Sequence, residues 1–190
     1  MIPNKNKIYT YKDYLTFPDD ERIEIIEGKI YNMGSPSTIH QRLSMTISNA
    51  IYNYIQSNKG DCEVFTAPFD VILKSADEEA ISSSNVVIPD ISVICDKTKI
   101  TEKCCVGSPD MIVEIVSPSN ASNDYVRKLN LYEKYKVKEY WIVSPKSKKV
   151  LVYVLNEEGF YNEPLFYTFQ DKIKVNIYDD LEIDFNAFNL

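Results

Sequence analysis

The sequence predicts a mixed α/β fold, on three observations. Short β-branched runs recur through the middle and late chain, among them VVI, ISVI, MIVEIV, EYWIVS and KVLVYVL, which is the composition of buried strands. Two stretches instead carry apolar residues at three- and four-residue steps, the period of an amphipathic helix. Fourteen Tyr, eight Phe and one Trp suit a sheet, because aromatic rings pack well on pleated surfaces. At 190 residues, 44% hydrophobic and 26% charged, the expectation is one domain over 1–190 that buries a core of its own.

The first twenty residues give a short helical pattern, YKDYLTF, ending at Pro18 and an acidic turn. RIEIIEGKIYNM follows as two alternating runs around Glu27-Gly28. This is a hairpin signal, since glycine supplies the positive φ that a tight turn demands. Both hairpin acids, Glu24 and Glu27, are within conceivable reach of a metal site, although an exposed turn acid is the commoner case. Gly34-Ser35-Pro36-Ser37 then breaks the strand and offers a helix start. In STIHQRLSMTISNAIYNYIQS, Ile39, Leu43, Ile47, Ala50 or Ile51, and Tyr54 form one apolar face. His40 sits beside the first anchor of that helix, where a structural hydrogen bond is commoner than catalysis.

Residues 61–73 are extended chain, broken at Ala67-Pro68 because proline cannot donate to a ladder. A polar loop SADEEAISSSN leads to Val86–Cys95, and a lysine-rich loop from Asp96 to Lys103 precedes the strand Met111–Val116. Ser117-Pro118-Ser119-Asn120 ends that strand and opens a helix from about Ser122 to Lys136. Two strands joined by SPKSKK come next, and further alternating segments complete the chain. There is no internal repeat.

No apolar run approaches the ~20 residues that cross a bilayer, and the N-terminus lacks a secretory apolar core, so a cytoplasmic protein is expected. Cys62, Cys95, Cys104 and Cys105 do not make the paired spacing of a zinc site. Reduced, mostly buried thiols are the expectation. The net charge of −7 argues against nonspecific coating of nucleic acid. Residues 126–149 nevertheless carry +6, leaving −13 on the remainder. A solvated helix face and turn is the commoner meaning of such a run.

Two carboxylates stand where a buried strand does not normally tolerate them. Alternation puts Ile112, Glu114 and Val116 on one face of their strand and Met111, Val113 and Ile115 on the other. A carboxylate there must be neutralised, paired or bound to a cation. For Glu114 alone a salt-bridged structural acid is the commoner outcome. Asp90 shifts the balance: it follows Pro89 and separates VVI from ISVI. Two acids on neighbouring strands, with a backbone carbonyl and waters, make the oxygen-rich set that magnesium prefers. Such acids repel one another unless a cation lies between them. On the following helix Asp124, Lys128 and Tyr132 share a face at four-residue spacing. A lysine there would orient a nucleophilic water or neutralise a phosphate. As a plain Asp124–Lys128 surface pair it would be worth only ~0.3–0.5 kcal/mol.

Pro89-Asp90 followed by Glu114-Ile115-Val116 resembles the PD-(D/E)XK nuclease superfamily. EGKIYNMGSPSTIH, VIPDISVI, DMIVEIVSPSN, the Asp124–Lys128–Tyr132 spacing and KEYWIVSP are similar, in order from about Glu21 to Leu155, to its Uma-type restriction endonuclease branch. The resemblance implies a restriction-endonuclease-like core: a central mixed β-sheet flanked by helices, with the N-terminal hairpin and C-terminal strands added. It implies magnesium-dependent hydrolysis of DNA phosphodiester bonds, with manganese as the alternative ion. Asp90 and Glu114 would be metal ligands with the carbonyl of Ile115 as a third, and Glu27 and His40 would be supporting groups. The motif's lysine falls at Val116, and in this branch Lys128 takes its place. The implied partner is DNA, residues 126–149 would face its phosphates, and a homodimer is left open. Pro109-Asp110 is a decoy, too close to Glu114 in sequence to lie on a second strand. Two rival readings remain: a nuclease fold kept as a DNA-binding or protein-interaction module, and a hydrolase using Cys104 or Cys105 with His40, which no spacing supports.

Overall fold

The computed structural model describes residues 6–18, 21–117 and 123–188, without the side chains of 123 and 124. A one-turn helix, α1 (Tyr11–Tyr14), precedes the hairpin of β1 (Ile23–Ile26) and β2 (Lys29–Asn32). The hairpin turn is Glu27-Gly28, with φ of 50° and 73°, the left-handed pair that a two-residue connection requires. A Cβ on Gly28 would also come within 2.5 Å of the Ile8 side chain, so the turn excludes larger residues twice over. Helix α2 (Thr38–Ser57) starts where Ser37 accepts the His40 N–H, and it buries Leu43, Ile47, Ile51 and Ile55. At ~1.5–3 kcal/mol per buried branched side chain, that stripe alone holds the helix down.

The two proline breaks turn out to be the points where the chain changes sheets. Strand β3 (Glu63–Thr66) passes through Ala67-Pro68 into β4 (Asp70–Ile72), and β5 (Val86–Val87) passes through Ile88-Pro89-Asp90 into β6 (Ile91–Ile94). Thereafter come β7 (Cys104–Val106), β8 (Met111–Ile115), a π-helical stretch Asn123–Lys128, α3 (Leu129–Lys134), β9 (Glu139–Ser144), β10 (Lys149–Val154), β11 (Leu165–Thr168), β12 (Lys172–Lys174) and β13 (Glu182–Asp184). One sheet has the order β2-β1-β5-β4-β7 and a larger mixed one the order β11-β10-β9-β8-β6-β3, while β12 and β13 pair separately. The Ala67 N–H donates to the Asp90 carbonyl at 3.1 Å, tying the two crossings together.

The six-stranded sheet is the central mixed sheet. One face carries Met111, Val113 and Ile115 and packs on α2 together with Ile173, Ile183 and Phe185. The other carries Ile112 and packs on Leu131 and Tyr132 of α3 and on Val71 and Val87 of the smaller sheet. The alternation expected for MIVEIV therefore holds.

Three expectations need correction. The helix expected from about Ser122 to Lys136 has a π-helical first part and ends its α-helical part at Lys134, a change of hydrogen-bond register that apolar periodicity does not distinguish. Strand β7 was not anticipated, because three residues between Lys103 and Gly107 carry no readable alternation. Cys62 and Cys95 are not free thiols but a disulfide. The β3–β6 register sets Glu63 opposite Ile94, which brings Cys62 opposite Cys95 across the pair. Cys104 and Cys105 are free and buried, as expected.

Candidate active site

The fork between the two sheets is where the chemistry gathers. Strands β6 and β8 run antiparallel with Ile91 opposite Val113, so Asp90, one step before β6, comes level with Glu114. Asp90 Oδ2 accepts the Ile115 N–H at 2.7 Å and lies 3.0 Å from His40 Nε2. Against an ionised carboxylate, Nε2 would be the donor of that contact. Both contacts fall on Oδ2. The other ring nitrogen, Nδ1, is buried without a hydrogen-bond partner.

Glu114 is held from the helix that follows its strand. Lys128 Nζ donates to Glu114 Oε1 at 2.8 Å, and the Tyr132 hydroxyl donates to the same oxygen at 2.7 Å. The four-residue spacing of Lys128 and Tyr132 is what lets both reach one carboxylate. The π-helical register ends at Lys128, a kind of insertion that recurs at functional sites. Lys128 Nζ also lies 2.8 Å from Glu24 Oε1, and that oxygen accepts the Ile88 N–H at 2.9 Å. Lys128 is only 3% exposed, so the shared ammonium is desolvated along with the acids it joins.

Glu24, Asp90, Glu114, Lys128, His40 and Ile115 all line one cavity of about 120 Å³. Three buried carboxylates thus face one buried ammonium, with the exposed Arg22 at the same cavity. This donor set fits a hard divalent cation in the manner of magnesium, which takes one or two carboxylates and completes its shell with water and substrate oxygens. It does not make a closed cage: among the described residues no group of three or more His, Cys, Asp or Glu is placed to hold an ion.

The expected site residues separate as follows. Asp90, Glu114, Ile115, Lys128 and His40 come together. Glu27 does not: it is exposed on the hairpin turn, where its N–H donates to Asn85 Oδ1. Glu24 is the hairpin acid in the cavity, because β1 pairs with β5 and turns this residue toward the fork. The signal that finds it is the one that found Glu114, a carboxylate inside a β-branched run, here IEII. Val116 donates its N–H to Val143 and packs with the apolar face that includes Ile112. The amine therefore reaches Glu114 from the helix. The Asp124 side chain lies outside the described residues.

Asp110, read from the sequence as a decoy, does not line the cavity. It accepts from the Cys95 N–H and from Lys138, outside the acidic cavity. Seven of the eight cations in residues 126–149 are exposed, Lys128 being the exception. Lys128 is buried in the site, Lys138 pairs with Asp110, Lys136 donates to the Gly159 carbonyl and Arg127 stacks over Tyr31. Of its eight cations only Lys128 lines the cavity. The cysteine hydrolase fails as well, since neither free cysteine lines the cavity with His40. Burial also pushes the Cys105 thiol up to about 12, away from the nucleophilic thiolate. No helix among the described residues is long and apolar enough to cross a membrane.

Comparison with known proteins places the chain in a family. An uncharacterized protein of Synechocystis sp., slr1290, is 28% identical over 151 residues, covering 78% of this chain and 75% of that one. A second, sll1609, is 25% identical over 148 residues, covering 75% and 78%. A crystal structure from Anabaena variabilis, described as "a putative nuclease belonging to DUF820", matches with a TM-score of 0.75 at 19% identity over 95% of this chain and 99% of that one. That likeness shows the fold, a mixed α/β architecture of the restriction-endonuclease-like kind. The family model Uma2, described as "Putative restriction endonuclease", matches residues 10–186, and the chain belongs to that family.

Proposed function

We propose that this protein is a metal-dependent endonuclease that hydrolyses DNA phosphodiester bonds. The observation that carries the reading is Lys128 bridging Glu114 and Glu24 in the cavity that Asp90 also lines. That arrangement combines a charge-rich carboxylate set with an amine beside it and room for a phosphate. Asp90 and Glu114 would hold a magnesium ion, with the Ile115 carbonyl as a third oxygen. Such an ion supplies charge neutralisation at the phosphoryl oxygens and a water of lowered pKa. Lys128 orients the attacking water by hydrogen bonding and offers positive charge to the departing phosphate oxygens. Tyr132 fixes the Glu114 carboxylate, and the Ile115 N–H and His40 fix that of Asp90. Each acid is thereby held for its task before substrate arrives.

One observation favours a second reading, a nuclease fold retained for DNA binding or protein interaction. Lys128 pairs directly with Glu114, as it would in a purely structural ion pair. Calorimetric titration with Mn²⁺ and nicking of supercoiled plasmid separate the two. Wild type is expected to bind Mn²⁺ and to nick. Asp90→Asn and Glu114→Gln are expected to lose binding and at least about a hundredfold in rate, more than the loss of a supporting partner of a ligand costs. Nicking that is equal in wild type and both variants would mark a contaminant and end the nuclease reading.

A further inference from the structure

A second cavity of about 380 Å³ adjoins the acidic one and shares His40, Gln41, Ala67 and Asp90 with it. It runs along the outer face of α2, lined by Thr38, Gln41, Arg42, Ser44 and Ser48, with Thr66 from the end of β3. On a chain of net charge −7, Asp90, where this surface meets the site, is the only acid among the described residues that line it. Among the described residues, the side chains of Gln41, Arg42, Ser44 and Thr66 make no hydrogen bond or ion pair with the rest of the protein. A guanidinium, a carboxamide and hydroxyls therefore face solvent, where a ligand could meet them.

Resting on the nuclease reading, we infer that this groove holds the sugar–phosphate backbone of the DNA strand leading away from the scissile phosphate. Hydroxyl, amide and guanidinium donors are the groups that bind phosphate and sugar without reading sequence. The Arg42 guanidinium supplies the positive charge that complements the strand, and the groove is continuous with the acidic cavity. From Thr38 to Ser48 the helix advances about 15 Å at ~1.5 Å per residue, long enough to follow more than one nucleotide of the strand. The groove thus replaces residues 126–149 as the phosphate-facing side.

The test is binding without cleavage, by fluorescence anisotropy of a labelled DNA duplex in EDTA. Arg42→Glu is expected to weaken binding about tenfold or more at low salt. Arg42→Ala is expected to lower the slope of log K against log salt by about one. Lys146, Lys148 and Lys149 changed together to alanine are expected to leave affinity within about twofold. The inference is overturned if Arg42→Glu binds as wild type does, if the triple-lysine variant carries the loss instead, or if wild type binds no DNA at all. Failure of the nuclease reading looks different. Binding that depends on Arg42 in a protein that never cleaves keeps the groove and removes the nuclease. Cleavage by wild type with unchanged Arg42→Glu binding does the reverse.

Discussion

Buried carboxylates gather at both ends of β8, and the two ends use them differently. At the N-terminal end Glu139, on the adjacent β9 opposite Met111, is buried, yet each of its oxygens has a donor supplied by the fold. Trp141 Nε1 and Asn176 Nδ2 donate to Oε1, and the Ile177 N–H donates to Oε2. Asp110 beside it is capped by the Cys95 N–H and by Lys138. At the C-terminal end Glu24 and Glu114 share one ammonium, and with Asp90 they open onto a cavity. Burial of an acid is common to both ends and identifies neither. What separates them is sharing: one ammonium between two buried acids, beside space that a ligand can enter.

The largest break in that comparison should come from Lys128→Met. Removing the shared ammonium leaves Glu24 and Glu114 facing each other in a desolvated site, a loss of about 3–5 kcal/mol on the scale of breaking a buried pair. If the acids are a metal site, millimolar Mg²⁺ should return part of that stability, because a ligand bound only by the folded state stabilises it by mass action. Urea denaturation with and without Mg²⁺ reads both effects. A Lys128→Met protein as stable as wild type, or one indifferent to Mg²⁺, would make this end as structural as the other.

Glu139→Gln should cost less, about 1–3 kcal/mol, and Mg²⁺ should not restore it. An amide has one acceptor oxygen, so its NH₂ must confront at least one of the three donors. Burial raises the Glu139 pKa above the ordinary carboxylate value, against the lowering effect of those hydrogen bonds. The folded protein therefore holds this proton more tightly than the unfolded chain does. Its contribution to stability is present below the ordinary pKa and declines as pH rises through the raised one. Wild type should show that decline in urea titrations at successive pH values, and the Gln variant should lack it.

Much of the site was legible because its physical signal is local. Glu114 and Asp90 interrupt β-branched runs, and Lys128 and Tyr132 are one helical turn apart. Glu24 carries the same signal within IEII, but hairpin alternation does not say which face the smaller sheet covers, and the resemblance pointed to Glu27. The prolines at 68 and 89 marked breaks correctly. A missing ladder donor does not reveal that the halves on either side join different sheets. That division depends on long-range pairing, as does the Cys62–Cys95 bond, whose partners are 33 residues apart and meet only through the β3–β6 register. Residues 126–149 were unreadable in detail for a related reason: a run of cations says nothing about which stacks, which caps a carbonyl and which is buried.

The smallest effect should come from Lys138→Ala, and it is the closest control for Lys128. Both lysines reach a buried carboxylate, at 2.6 Å for Lys138 and Asp110 and at 2.8 Å for Lys128 and Glu114. By distance alone Lys138 makes the tighter pair. Its side chain, however, is 67% exposed, so water already solvates the ammonium, and Asp110 keeps the Cys95 N–H when the lysine is gone. An exposed partner of this kind contributes up to about 1 kcal/mol. Lys138→Ala should therefore shift the urea midpoint only slightly and leave Mn²⁺ binding and plasmid nicking at the wild-type level. A loss as large as that of Lys128→Met would show that contact distance, not desolvation and sharing, sets the worth of these pairs, and would remove the physical distinction between the two ends of β8.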